Sequence, residues 1–149
     1  MQRFEFPHHT EYEKGALALC MADAKLLDYI VGKLKESDFF HAKHRYIFEA
    51  ILSIYLHEDP VNSFTVCDRL AECNLLPMVG GRSYVSDLID YALPIQSNAE
   101  FYVEQIHDAA RHREIIERLT LLLEKVCEDN VGAQEARDFV REELKKMEE

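Results

Sequence analysis

His41 and His44 are the side chains whose type and spacing most directly suggest chemistry. Three residues apart on a helix they share a face, and two imidazoles on one face can begin a metal site. The surroundings do not complete it. The pattern His-Glu-x-x-His, which adds a general base, is absent from the chain. No Cys or carboxylate stands at a spacing that supplies further ligands, and His8, His9, His107 and His112 lie elsewhere. A small metal-dependent hydrolase using His41 and His44 is therefore kept only as a reading of another class.

Two close carboxylate pairs, Glu11/Glu13 and Glu58/Asp59, could serve acid–base catalysis. In a chain this acidic, helix caps and solvated faces account for them. No Ser or Cys is paired with a His in a nucleophile pattern. Gly80-Gly81 precedes a helix, and helix N-termini attract anions. The phosphate-binding pattern Gly-x-x-x-x-Gly-Lys-Ser/Thr is nevertheless missing, so the pair reads as a turn whose backbone angles other residues resist. Cys20, Cys67, Cys73 and Cys127 are scattered and form no metal or redox motif, which points to a reducing, cytoplasmic setting. No cofactor is expected.

Charge narrows the partners. The 149 residues carry 28 acidic and 17 basic side chains, a net charge of −11. Such a surface repels a phosphate backbone, so strong direct binding of nucleic acid is not expected. Both halves share the excess: residues 1–97 hold 14 acidic and 9 basic groups, and residues 98–149 hold 14 and 8. No apolar run approaches the ~20 residues that span a bilayer.

The elements that must position these residues read as helices throughout. Thr10-Glu11-Tyr12-Glu13 resembles a capping box opening a first helix that ends near Asp23-Ala24. A second helix runs from about Lys25 to Lys35. The central one follows Ser37-Asp38 and reaches about His57, with Ile47, Ile51, Ile54 and Tyr55 on one face and Phe48 and Leu52 beside them. Asn62 or Ser63 caps a fourth helix, and a fifth is closed by Pro94. Ser97-Asn98-Ala99-Glu100 opens the longest periodic stretch, to about Glu128, and a last helix covers about Ala133 to Met147. The short turn between these two makes them antiparallel neighbours. The expected fold is all-α: a five-helix globular head with an N-terminal arm over 1–97, then an antiparallel helical hairpin over 98–149. A hairpin buries only part of its apolar stripe. Ile106, Arg113, Ile116, Leu119, Leu123, Val140 and Leu144 are therefore the candidate self-association residues.

An ordered series of residues resembles the N-terminal domain of the bacterial replicative DNA helicase of the DnaB type. It comprises Pro7-His8, Glu11-x-Glu13 and Leu17; Asp38-Phe39-Phe40, His44 and Ile47-Phe48-Glu49-Ala50; Pro60-Val61, Thr65-Val66 and Leu70; Gly80-Gly81-x-x-Tyr84; and Asn98, Tyr102 and Arg113. Departures are small: Asn62 stands for a usual Asp, Ala18 for a usual Gly and Phe40 for a usual Tyr. The resemblance implies a domain that dimerises, assembles as a trimer of dimers into a collar on a hexameric helicase, and docks the C-terminal domain of primase and, in some systems, a helicase loader. It also implies that ATP and Mg belong to a motor domain with no counterpart in these residues, so the chain by itself is not expected to be an enzyme. A free-standing regulatory protein mimicking the helicase domain is the alternative.

Overall fold

The structure, a computed structural model, describes residues 4–128 and 130–148. Among the described residues the fold is all-α, with eight helices and no strand. The helices are α1 (Thr10–Ala22), α2 (Ala24–Lys33), α3 (Ala42–Leu56), α4 (Ser63–Glu72), α5 (Gly81–Asp87), α6 (Leu93–Gln96), α7 (Ala99–Val126) and α8 (Ala133–Glu148). Two compact units divide the chain. Pro7–Ala110 forms the head; the described parts of Met1–Phe6 and Arg111–Glu149 form the hairpin unit.

Helix α3 carries the centre of the head. Ile47, Phe48, Ile51 and Ile54 are buried along it, as the stripe in the sequence predicts. Phe39, from the link before α3, lays its ring 4.8 Å from that of Phe48. Leu17 and Leu19 of α1, Ile30 of α2 and Leu70 of α4 complete the surrounding core. Each such side chain contributes ~1.5–3 kcal/mol by leaving water.

Helix boundaries follow local chemistry. Asp23 ends α1 and starts α2 at once, its carboxylate accepting from the N–H groups of Lys25 at 3.0 Å and Leu26 at 3.2 Å. Asn62 caps α4: its side chain accepts from Phe64 and Thr65, while the Thr65 hydroxyl accepts from the Asn62 N–H at 3.0 Å. Glu58 and Asn74 adopt positive φ just after α3 and α4 and turn the chain there.

Three expectations change. Thr10 and Glu13 make no capping box: α1 begins after His9 with no side-chain cap, because Glu13 faces the interior. The expected fifth helix is broken into α5, a 3-10 turn over Leu88–Tyr91, and α6. Pro94 lies in the first turn of α6, where its missing N–H costs nothing, so it opens a helix instead of closing one. Helix α7 serves both units: Ala99, Val103, Ile106 and Ala110 are buried with the head, and the hairpin unit takes it up from Arg111.

Gly15 lets α1 approach the Leu88–Gln96 region closely. A Cβ there would collide with Ile95 Cδ1 and lie 2.9 Å from the Tyr91 carbonyl oxygen. Gly32, in α2, has open space around it. Gly15→Ala should therefore lower stability by about 1–3 kcal/mol. Gly32→Ala should raise it by ~0.5–1 kcal/mol, because alanine is the better helix former. Urea denaturation of both variants checks the opposite signs.

Candidate functional site

The titratable cluster at the heart of the head grows from the Glu13 position. Glu13 sits one turn into α1 and is almost wholly buried. Its Oε1 accepts from His44 Nδ1–H at 2.8 Å, and its Oε2 accepts from the Phe40 N–H at 2.9 Å. His44, also buried, lies in the first turn of α3. With Nδ1 donating to the carboxylate, Nε2 accepts from the Tyr84 O–H at 2.7 Å. Tyr84 comes from α5, so one chain of contacts ties α1, α3 and α5. Gly80 lets it form: its φ is 100°, and a Cβ there would lie 3.0 Å from Tyr84 Cβ. Gly80, singled out for a turn, thus also seats Tyr84.

The neighbouring groups close the cluster. Lys43 Nζ lies 4.1 Å above the Tyr84 ring. His41 Nε2 is 2.8 Å from Thr10 Oγ1, and its ring stands edge-on to His44. His8 stacks on Phe40 with centroids 4.1 Å apart. Arg45 donates to the carbonyls of Phe39 at 3.0 Å and Phe40 at 2.6 Å, fixing the link into α3. Burial lowers the His41 imidazole below its ordinary range against the opposing pull of Glu13. Burial also pushes the Tyr84 phenol up to about 12, with Tyr91, Glu13 and Glu11 adding to the shift.

This arrangement joins histidine, carboxylate and phenol, and both Glu13 oxygens, both His44 nitrogens and the Tyr84 hydroxyl have protein partners. His44 uses both ring nitrogens within the network, and His41 uses Nε2 on Thr10, so neither offers that lone pair to a metal without breaking a contact. Among the described residues, no group of three His, Cys, Asp or Glu side chains is arranged to hold a metal ion. The network's chemistry is that of a clamp between helices.

The predicted association residues divide between environments. Ile106 and Arg113 are buried and present little surface. Ile116 and Val140 are half-buried. Leu119, at 49% exposure, Leu123, at 61%, and Leu144 are open. Ile116, Leu119, Thr120 and Leu123 line a cavity of about 200 Å³ together with Phe4 of the arm. The sequence reading passed over Phe4, because residues 1–9 carry no periodicity to place it. Between α7 and α8 runs a wider groove, with Leu121, Leu122 and Phe139 among charged side chains. There Lys125 Nζ stands 4.8 Å from the Phe139 ring centroid.

Comparison with known proteins gives consistent matches. The model of the DnaB-like helicase N terminal domain family matches residues 5–108. The replicative DNA helicase DnaB of Treponema pallidum (strain Nichols) is 27% identical over 138 residues, covering 93% of this chain and 31% of that protein. The DnaB helicase of Leifsonia xyli subsp. xyli (strain CTCB07) is 30% identical over 111 residues, covering 74% and 24%. That of Geobacillus stearothermophilus is 28% identical over 137 residues, covering 92% and 29%. The chain thus spans less than a third of the length of each. Among solved structures, the N-terminal domain of DnaB helicase from Mycobacterium tuberculosis shares the fold with a TM-score of 0.83. It covers 95% of this chain and 99% of that one at 23% identity.

Breaking the clamp should cost more than its size suggests. Glu13→Ala leaves His44 Nδ1–H and the Phe40 N–H without their acceptor and should lower stability by about 3–5 kcal/mol. Tyr84→Phe should cost about 1–3 kcal/mol. A tyrosine in the unfolded chain ionises near pH 10, before Tyr84 does in the fold. The unfolded state therefore loses its proton first, and stability present below pH 10 drains as pH rises towards 12. Denaturation curves across that range should show a shallower loss for Tyr84→Phe.

Proposed function

The chain belongs to the DnaB-like helicase N-terminal domain family, and from that premise we propose that it serves a replicative helicase as an association and docking module. Copies of the chain pair through their hairpins and build, as trimers of dimers, a collar on a hexameric ring. The collar docks the C-terminal domain of primase and, in some systems, a helicase loader. ATP and Mg are handled by a motor domain, whose phosphate-binding pattern these 149 residues do not contain. Opening and unwinding of DNA fall to that motor.

The observation that carries this reading is the open apolar face of α7. Leu119 and Leu123 stand about half or more exposed beside a cavity with no charged lining residue. A contiguous apolar surface of that kind favours a protein partner. The acidic head supports the docking part: Pro7–Ala110 carries 16 acidic and 8 basic side chains, which favours fast, salt-sensitive encounter with a basic partner.

Light scattering after size exclusion should give a mass that rises with concentration to a dimer and beyond. Leu119→Glu combined with Leu123→Glu should hold the chain monomeric with unchanged helical circular dichroism. A double variant that associates like the wild type would remove the hairpin face from the interface. Calorimetric titration with primase's C-terminal domain should show binding that weakens as salt is raised; absence of binding at low salt would count against the docking role.

A further inference from the structure

The arm before Pro7 groups with the hairpin unit, although over a hundred residues of head separate them in sequence. Phe4 lines the 200 Å³ cavity together with Ile116, Leu119, Thr120 and Leu123 of α7. An aromatic ring that sealed this cavity from within would itself be covered. Phe4 is instead 66% exposed, so it rims the opening, and arm and helix present one continuous apolar surface. We infer that Phe4 belongs to the surface by which two copies of this chain associate, the arm of each copy supplying an aromatic side chain to the contact. The inference rests on the self-association reading above and adds a segment outside the hairpin stripe.

Charge selects a second copy as the occupant. None of the five lining residues is charged, so this face can meet its own copy across a two-fold axis with no like charges opposed. Residues 111–149 are also nearer to charge balance, with 11 acidic and 8 basic side chains, than the head, whose acidic groups outnumber its basic ones two to one. Two hairpin units therefore approach against less repulsion than two heads. Area points the same way. A phenylalanine buries about 150–250 Å² in full, so a ring two-thirds exposed offers roughly 100–170 Å². That is about an eighth or more of the ~800 Å² each partner gives to a standard interface, and two-fold symmetry supplies it twice.

The chain contains no tryptophan, so Phe4→Trp installs the sole indole in the full 149-residue protein. Its emission maximum should move to shorter wavelength as concentration rises through the range in which light scattering shows the dimer forming. Phe4→Ala should weaken the dimer about tenfold in Kd. Emission that stays constant while the dimer forms, or a Phe4→Ala variant that dimerises as well as or better than the wild type, would overturn the inference. A wild-type chain that remains monomeric, or a Leu119→Glu/Leu123→Glu variant that dimerises unchanged, would instead overturn the parent reading and the arm's role with it.

Discussion

A buried carboxylate with two mandatory partners governs the head. Once a carboxyl group is taken out of water it must be met by hydrogen bonds, and among the described residues His44 and the Phe40 N–H meet that of Glu13. That requirement fixes the start of α3 against α1. Through His44 Nε2 it extends to Tyr84, and through Tyr84 to the turn at Gly80. Hydrophobic burial gives the head most of its stability, yet it specifies no single register between helices. A polar network that fails if one helix shifts by a turn does specify it.

The parts of the fold that could be read directly are those governed by period and by local capping. The stripe of α3 gave its buried face because helical spacing alone decides which side chains point together. The start of α4 was legible as a cap at Asn62 or Ser63, and Asn62 makes it, because a cap acts within four residues. Glu13 was misread for the converse reason. A carboxylate three residues after a threonine suits a local capping box, and the winning partners lie 27 and 31 residues away, which no local pattern reveals. Pro94 likewise carried the correct message, a helix boundary, without its sign.

The stripe of α7 shows the same limit at larger scale. Ile106, Arg113, Ile116 and Leu123 follow one continuous period, and the sequence offers no mark where its partner changes. Up to Ala110 the stripe is spent on the head core; beyond Arg111 it belongs to the hairpin unit, where Leu119 and Leu123 remain open. No side chain of α8 is fully buried. A helix that buries so little draws modest stability from its own chain, and any partner that bound it would add stability by mass action.

The pairing of the first residues with the last helices also has a temporal side. During synthesis Phe4 precedes the α7 residues with which it lines a cavity by more than a hundred residues. At about 5–20 residues per second, that separates Phe4 from its neighbours by roughly 5–20 s. The head can close within that interval, since Pro7–Ala110 holds its own core. The hairpin unit cannot, because it is assembled from both ends of the chain. A nascent chain that has reached only Ala110 therefore holds a closed head beside an arm whose α7 partner is still unmade.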